Sequence, residues 1–143
     1  LDLDYRGTRC YLERILLVES DKAVLHRLAE HLLLRGYEVM TASSPDEALA
    51  LIRAPARPYE SPLSVAVIGD SADKAAPFSA ADAGRRLREL DPAVAVILLI
   101  DENARRGILK GRLQVQDVLM KPAEPEQILR SIQKILNRRF SAR

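Results

Sequence analysis

Val65-Ala66-Val67-Ile68-Gly69-Asp70 is the stretch that decides the fold. Its apolar residues follow one another without the alternation of a half-buried strand. A continuous run suits a strand covered on both faces, as in a parallel sheet. The run stops at Gly69-Asp70, and Gly69 to Phe78 reads as a polar loop rich in Ala and Asp.

Upstream, Arg14-Ile15-Leu16-Leu17-Val18 is a similar run that stops at Glu19-Ser20-Asp21. Val24, Leu25, Leu28 and Leu32 then recur at helical spacing, with Ser20 or Asp21 as N-cap and Gly36 as the C′ residue. Tyr37 to Ala42 reads as a second strand. Ser44-Pro45-Asp46-Glu47 opens a second helix, with Ser44 as N-cap, Pro45 at N1 and Glu47 at N3. That helix is expected to carry Ala48, Leu51 and Ile52 inward. Pro55 to Pro62, with three prolines, is a loop.

Downstream, Ala80, Ala83, Leu87 and Leu90 form a helical stripe ended by Asp91-Pro92. Val94 to Ile100 is a fourth, wholly apolar strand. Residues 102 to 112 read as a weaker, Arg-rich helix and Asp117 to Met120 as a fifth strand. Glu124 to Arg139 is a last helix with Ile128, Leu129, Ile132, Ile135 and Leu136 inward. Strands that alternate with helices in this way predict an α/β parallel sheet with helices on both faces, because right-handed crossovers place a helix between successive strands.

Composition excludes several classes. The chain has 143 residues, 48% hydrophobic and 29% charged, so it is one ordinary globular domain and not a disordered one. Val94 to Ile100, the longest unbroken apolar stretch, is too short to cross a bilayer, and neither a secretory leader nor a membrane role is expected. Cys10 is the only cysteine, which removes internal disulfides and multi-cysteine zinc sites and fits a cytoplasmic protein. The charge balance of +2 and 4% aromatic residues give no case for direct nucleic-acid contact. His26 and His31 lie off the i, i+4 spacing of a helical metal pair. The start at Leu1 reads as a cut from a longer chain. The expected division is a linker or extension over 1–13, a domain over 14–137 and a linker stub over 138–143.

In open parallel sheets ligands bind at the carboxyl ends of the strands. The residues to inspect there are Glu19, Ser20, Asp21, Gly69, Asp70, Ile100, Asp101, Lys121 and Pro122. Ile15-Leu16-Leu17-Val18-Glu19-Ser20-Asp21, Arg88-Glu89-Leu90-Asp91-Pro92…Val96-Ile97-Leu98-Leu99 and Asp117-Val118-Leu119-Met120-Lys121-Pro122 together resemble the receiver domains of two-component response regulators. The resemblance runs from about Arg14 to Leu136. It implies a flavodoxin-like (βα)5 three-layer sandwich with a five-stranded parallel sheet of order 2-1-3-4-5, and a Lys-Pro bond that is commonly cis.

The family's reaction is the phosphorylation of an aspartate at the end of strand three. That chemistry needs a carboxylate nucleophile, a divalent cation on the transferring group and a lysine on one of its oxygens. Adjacent acids after strand one help to hold Mg²⁺. Carried over, those acids fall on Glu19, longer by a methylene than the usual Asp, and on uncharged Ser20. Asp21 is one residue late and suits an N-cap. The acceptor position falls on Gly69, the Thr/Ser switch position on Ile100 and the aromatic switch position on Val118. Lys121 and Pro122 match.

These departures share one purpose, so the expected function is a pseudo-receiver, not an enzyme. It would work through contacts with other domains of a longer chain or with a partner signalling protein. One alternative is a phospho-accepting receiver using Asp70, with a bulge at Gly69 absorbing the one-residue slip. A second is a flavodoxin-like nucleotide or flavin binder, against which no G-x-G-x-x-G or P-loop appears. Lys121 is expected to pair with Glu19, Asp70 or Asp101. Glu19, Asp70 and Asp101 form the candidate Mg²⁺ site, although no cofactor is expected. The resemblance implies a dimer or partner surface across the fourth helix, fifth strand and last helix, where Arg105, Arg106, Lys110 and Arg112, set against Glu124 and Glu126, mark a candidate homodimer face.

Overall fold

A computed structural model describes residues 2–3, 9–10, 13–54, 62–70, 79–101 and 115–141. Two short strands, β1 (Asp2–Leu3) and β2 (Arg9–Cys10), pair antiparallel within the expected linker. They are too short to carry a readable hydrophobic pattern. The domain proper follows in the order β3 (Arg14–Val18), α1 (Lys22–Leu34), β4 (Glu38–Ala42), α2 (Pro45–Arg53), β5 (Leu63–Gly69), α3 (Ala80–Leu90), β6 (Ala95–Ile100), β7 (Asp117–Met120) and α4 (Pro125–Ser141). The last helix runs past the expected boundary at 137. The expected helix over 102–112 lies outside the described residues, as do most of the expected loops over 55–62 and 69–78.

The five long strands are parallel and ordered β4-β3-β5-β6-β7, which is the expected 2-1-3-4-5 order. This is the flavodoxin-like α/β architecture. The continuous apolar runs now have their reason, because alternate residues of each strand serve two cores. Ile15, Leu17, Val65, Val67, Ile97 and Leu99 face α1 and α4, where Leu28, Leu32, Ile128, Leu129 and Ile132 meet them. Leu16, Val18, Ala66, Ile68, Val96, Leu98 and Ile100 face α2 and α3, where Ala48, Ala80, Ala83 and Leu87 meet them. Each fully buried Leu or Ile contributes about 1.5–3 kcal/mol, so the sheet is anchored from both sides.

The helix ends follow the sequence. Asp21 caps α1, its side chain accepting the N–H groups of Ala23 and Val24. Gly36 lies just beyond α1 at φ +88°, a conformation that favours glycine. Ser44 caps α2 by accepting the Glu47 N–H. Glu47 reaches back one residue further than expected, to the N–H and hydroxyl of Ser43.

Three helix faces differ from the expected ones. In α2 the buried residues are Ala48 and Leu49, while Leu51 is exposed. Five apolar residues in succession, Ala48 to Ile52, leave the period undecided, and packing against the sheet selects the face. Val24 of α1 and Leu90 of α3 also sit at the outer margins of their stripes and are exposed. Gly84 of α3 is buried instead, where a Cβ would stand 3.1 Å from Val96 Cγ1, so this helix lies close on the sheet.

The sheet does contain an irregularity, but at the opposite end of β5 from Gly69. Arg14 pairs with Leu63 and Ile15 with Val65, leaving Ser64 as the extra residue. Its hydroxyl donates to the Glu13 carboxylate.

Candidate functional site

The carboxyl ends of β3, β5, β6 and β7 converge, and each brings one marked residue. Glu19 follows β3, Gly69 ends β5, Ile100 ends β6 and Lys121 follows β7. The backbone holds them in register. Glu19 N–H donates to the Ala42 carbonyl, Asp70 N–H to Leu99 and Lys121 N–H to Ile100. The Lys121–Pro122 bond is cis.

Glu19 is the one buried acid of this rim among the described residues, at 4% exposure. Its Oε1 accepts the Asp21 N–H at 3.2 Å. The Lys121 ammonium lies 3.1 Å from Oε2 and 3.4 Å from Oε1. The contact at Oε2 is electrostatic, without the alignment of a hydrogen bond. Lys121 also donates to the Asp70 carbonyl oxygen at 2.7 Å. Of its expected partners, then, Lys121 takes Glu19 by its carboxylate and Asp70 by its backbone. A buried carboxylate without such a counter-charge is costly, so the pair is structural as well as local.

Gly69 stands directly beneath this pair. A Cβ built there would collide with Glu19 Oε2 and stand 3.1 Å from the Val18 carbonyl oxygen. The carboxylate of Glu19 therefore lies in the space that a side chain at position 69 would enter. Glu19 can reach that space because of its extra methylene.

Asp70 is not brought into the slot. β5 runs in unbroken register to Gly69, paired with Leu99, so no bulge turns the next side chain inward. Asp70 instead accepts the Ala80 N–H at 3.1 Å and helps to cap α3. Ser20 is exposed, and Asp21 is spent on the α1 cap. Asp101 is exposed at the end of β6. No cluster of three His, Cys, Asp or Glu among the described residues is placed to hold a metal ion. The expected trio of Glu19, Asp70 and Asp101 thus does not converge. Glu19 meets the Lys121 ammonium here and neither of the other two carboxylates.

Ile100 is fully buried in the core under α2 and α3, and Val118 is half-buried against the same core. Both expected switch positions are packing residues here. A groove of about 460 Å³ opens between α1 and the start of α4, walled by Val24, Leu28, Leu99 and Ala123, with Glu19 and Lys121 along its floor.

Of the candidate dimer face, Glu124 pairs with Arg27 and Glu126 with Arg35, each at 3.4 Å. Arg105, Arg106, Lys110 and Arg112 lie outside the described residues. His26 pairs with Glu30 on the exposed side of α1. No helix among the described residues is long and apolar enough to cross a membrane.

The sequence reading missed the Glu19–Gly69 contact. The signal that could have found it is compensating size, since an acid one methylene too long ends one strand and a residue with no side chain ends its parallel neighbour.

No protein-family model matches the chain, and neither does any curated protein sequence. Solved structures match over most of its length. A CheY-like response regulator receiver domain protein from Methanospirillum hungatei is 25% identical with a TM-score of 0.72, over 92% of this chain and 99% of that one. An adenylate cyclase structure from Rhodopirellula baltica is 27% identical with a TM-score of 0.70, over 88% of each chain. The signal receiver domain of an HD domain-containing protein from Pseudomonas fluorescens is 20% identical with a TM-score of 0.75, over 91% of this chain and 98% of that one. The chain thus has the fold of receiver domains, including receivers that belong to longer proteins.

Proposed function

We propose that the chain is a receiver-like signalling module that works through contacts with neighbouring domains or a partner protein, without aspartyl phosphorylation and without catalysing a reaction. The observation that carries this reading is the end of β5. Gly69 occupies the acceptor position, and the only adjacent acid, Asp70, turns its carboxylate to the α3 N-terminus. Phosphoryl transfer to a receiver needs a free carboxylate in line with the donor and a cation to balance charge. Among the described residues the crevice offers one buried carboxylate, already paired with Lys121. The module is assigned to the cytoplasm on the same reading, as a domain that meets its partners in solution.

The test is incubation with excess acetyl phosphate and Mg²⁺, followed by intact mass. The expected result is an unchanged mass. An added phosphoryl mass that Asp70→Ala abolishes would replace this reading with that of a phospho-accepting receiver.

A further inference from the structure

We propose that Glu19 is an internal plug for the slot that Gly69 leaves open, held there by Lys121, and that it fixes the floor of the crevice in one arrangement. The inference rests on the reading of the crevice as phosphorylation-independent, and goes on to say what holds it constant.

The geometry is reciprocal. With a side chain at position 69, the Glu19 carboxylate would have to leave its place, because a Cβ there collides with Oε2. With an aspartate at position 19, the carboxylate would stop one methylene short of the same place. Glu19 and Gly69 are therefore two halves of one packing arrangement. Neither is an isolated loss of a family residue.

Lys121 makes the plug a brace. One ammonium contacts the Glu19 carboxylate at 3.1 Å and the Asp70 carbonyl at 2.7 Å, and so ties the ends of β3 and β5 to the start of the β7–α4 connection. Asp70 in turn accepts the Ala80 N–H. The brace thus continues from α1, through the Asp21 N–H on Glu19, to the first turn of α3. A partner docking on this rim meets the same arrangement at all times. Restoring an aspartate at position 69 alone cannot rebuild an acidic pocket, because the slot is already filled.

A thermal-melting cycle over Gly69→Ala and Glu19→Ala tests the proposal. Gly69→Ala in the otherwise unchanged chain is expected to lower the Tm by about 5 °C through overpacking. In the Glu19→Ala background the same change should cost under about 2 °C, since the colliding carboxylate is gone and the Val18 carbonyl at 3.1 Å is the nearest remaining neighbour. Glu19→Asp serves as a second background, keeping the charge and folding if Glu19→Ala does not. Equal shifts with and without Glu19 would overturn the plug. Hydrogen exchange supplies a second readout, with the Ala80 amide expected to exchange faster in Glu19→Ala. Unchanged exchange at Ala80 would overturn the brace to α3. The cycle reads packing and the phosphoryl mass reads chemistry, so additive shifts with an unchanged mass would remove the plug and leave the function standing.

Discussion

The crevice has two halves, and they have been treated differently. The ends of β3 and β7 keep opposite charges, Glu19 and Lys121, in contact across the sheet. The ends of β5 and β6 carry Gly69 and Ile100, one without a side chain and the other sealed in the core. The difference teaches that the two charges of this rim satisfy each other, while Ile100 at the end of β6 belongs to the core packing. A buried acid survives only if something pays its desolvation, and Lys121 is placed to do that.

The largest expected effect therefore lies in the charged half. Lys121→Met leaves the Glu19 carboxylate buried without its counter-charge and the Asp70 carbonyl without its donor. A loss of about 3 kcal/mol is expected, roughly 10 °C in Tm. Glu19→Gln should cost less, about 1–2 kcal/mol, because Lys121 is 27% exposed at its side chain and can turn to water. Paired thermal melts of the two variants check the asymmetry. Equal losses would mean that the two charges are equally well solvated, and the comparison would fail.

The apolar half gives the next effect. Ile100 is fully buried beneath α2 and α3. Ile100→Thr puts a hydroxyl at the expected switch position but sets it in an apolar core cluster shared with Ile68, Leu98 and Ala83. About 2 kcal/mol of destabilisation is expected. Urea unfolding at neutral pH measures it, and an unchanged midpoint would show that the crevice side of Ile100 is wetter than its burial implies.

The fold was legible because its signals are redundant. Val65 to Ile68 and Val94 to Ile100 each report two covered faces, and Ser44-Pro45 and Arg35-Gly36 punctuate the helices in the usual way. Where the signal was single, it misled. Ala48 to Ile52 is apolar throughout, so its period could not separate Leu49 from Leu51. Asp70 was an alternative acid for the pocket only if a bulge at Gly69 turned it inward, and β5 keeps its register with β6 through Gly69. The Asp70 carboxylate goes to Ala80, ten residues on, across a loop whose path no spacing reveals. Lys121-Pro122 pointed to the right corner, while the contact that shapes that corner joins residues on β3 and β5. Such a contact depends on side-chain length across a strand register, and a linear pattern does not encode it.

The smallest expected effect separates the acid that braces strands from the acids that cap helices at the same end of the sheet. Glu47 accepts from Ser43 at the start of α2, and these hydrogen bonds, side chain first and backbone second, hold its pKa below its ordinary 4.5. Asp82 accepts from the Ser79 hydroxyl at the start of α3 and faces Arg85, and its pKa lies below 3.8, with the Ser79 bond the main cause. A carboxylate whose folded pKa is lowered adds stability that is complete above its unfolded pKa and is lost as pH falls through the folded value. Both groups are largely exposed, so each cap is worth under about 1 kcal/mol. At neutral pH Glu47→Gln and Asp82→Asn should melt slightly below the unaltered chain. As the pH falls below about 4 the gap should close, because the protonated native acids lose the same advantage. A gap that persists undiminished to about pH 2 would show that the caps act through shape and not charge. Glu19 and Lys121 would then be the sole charge-dependent tie tested at this end of the sheet.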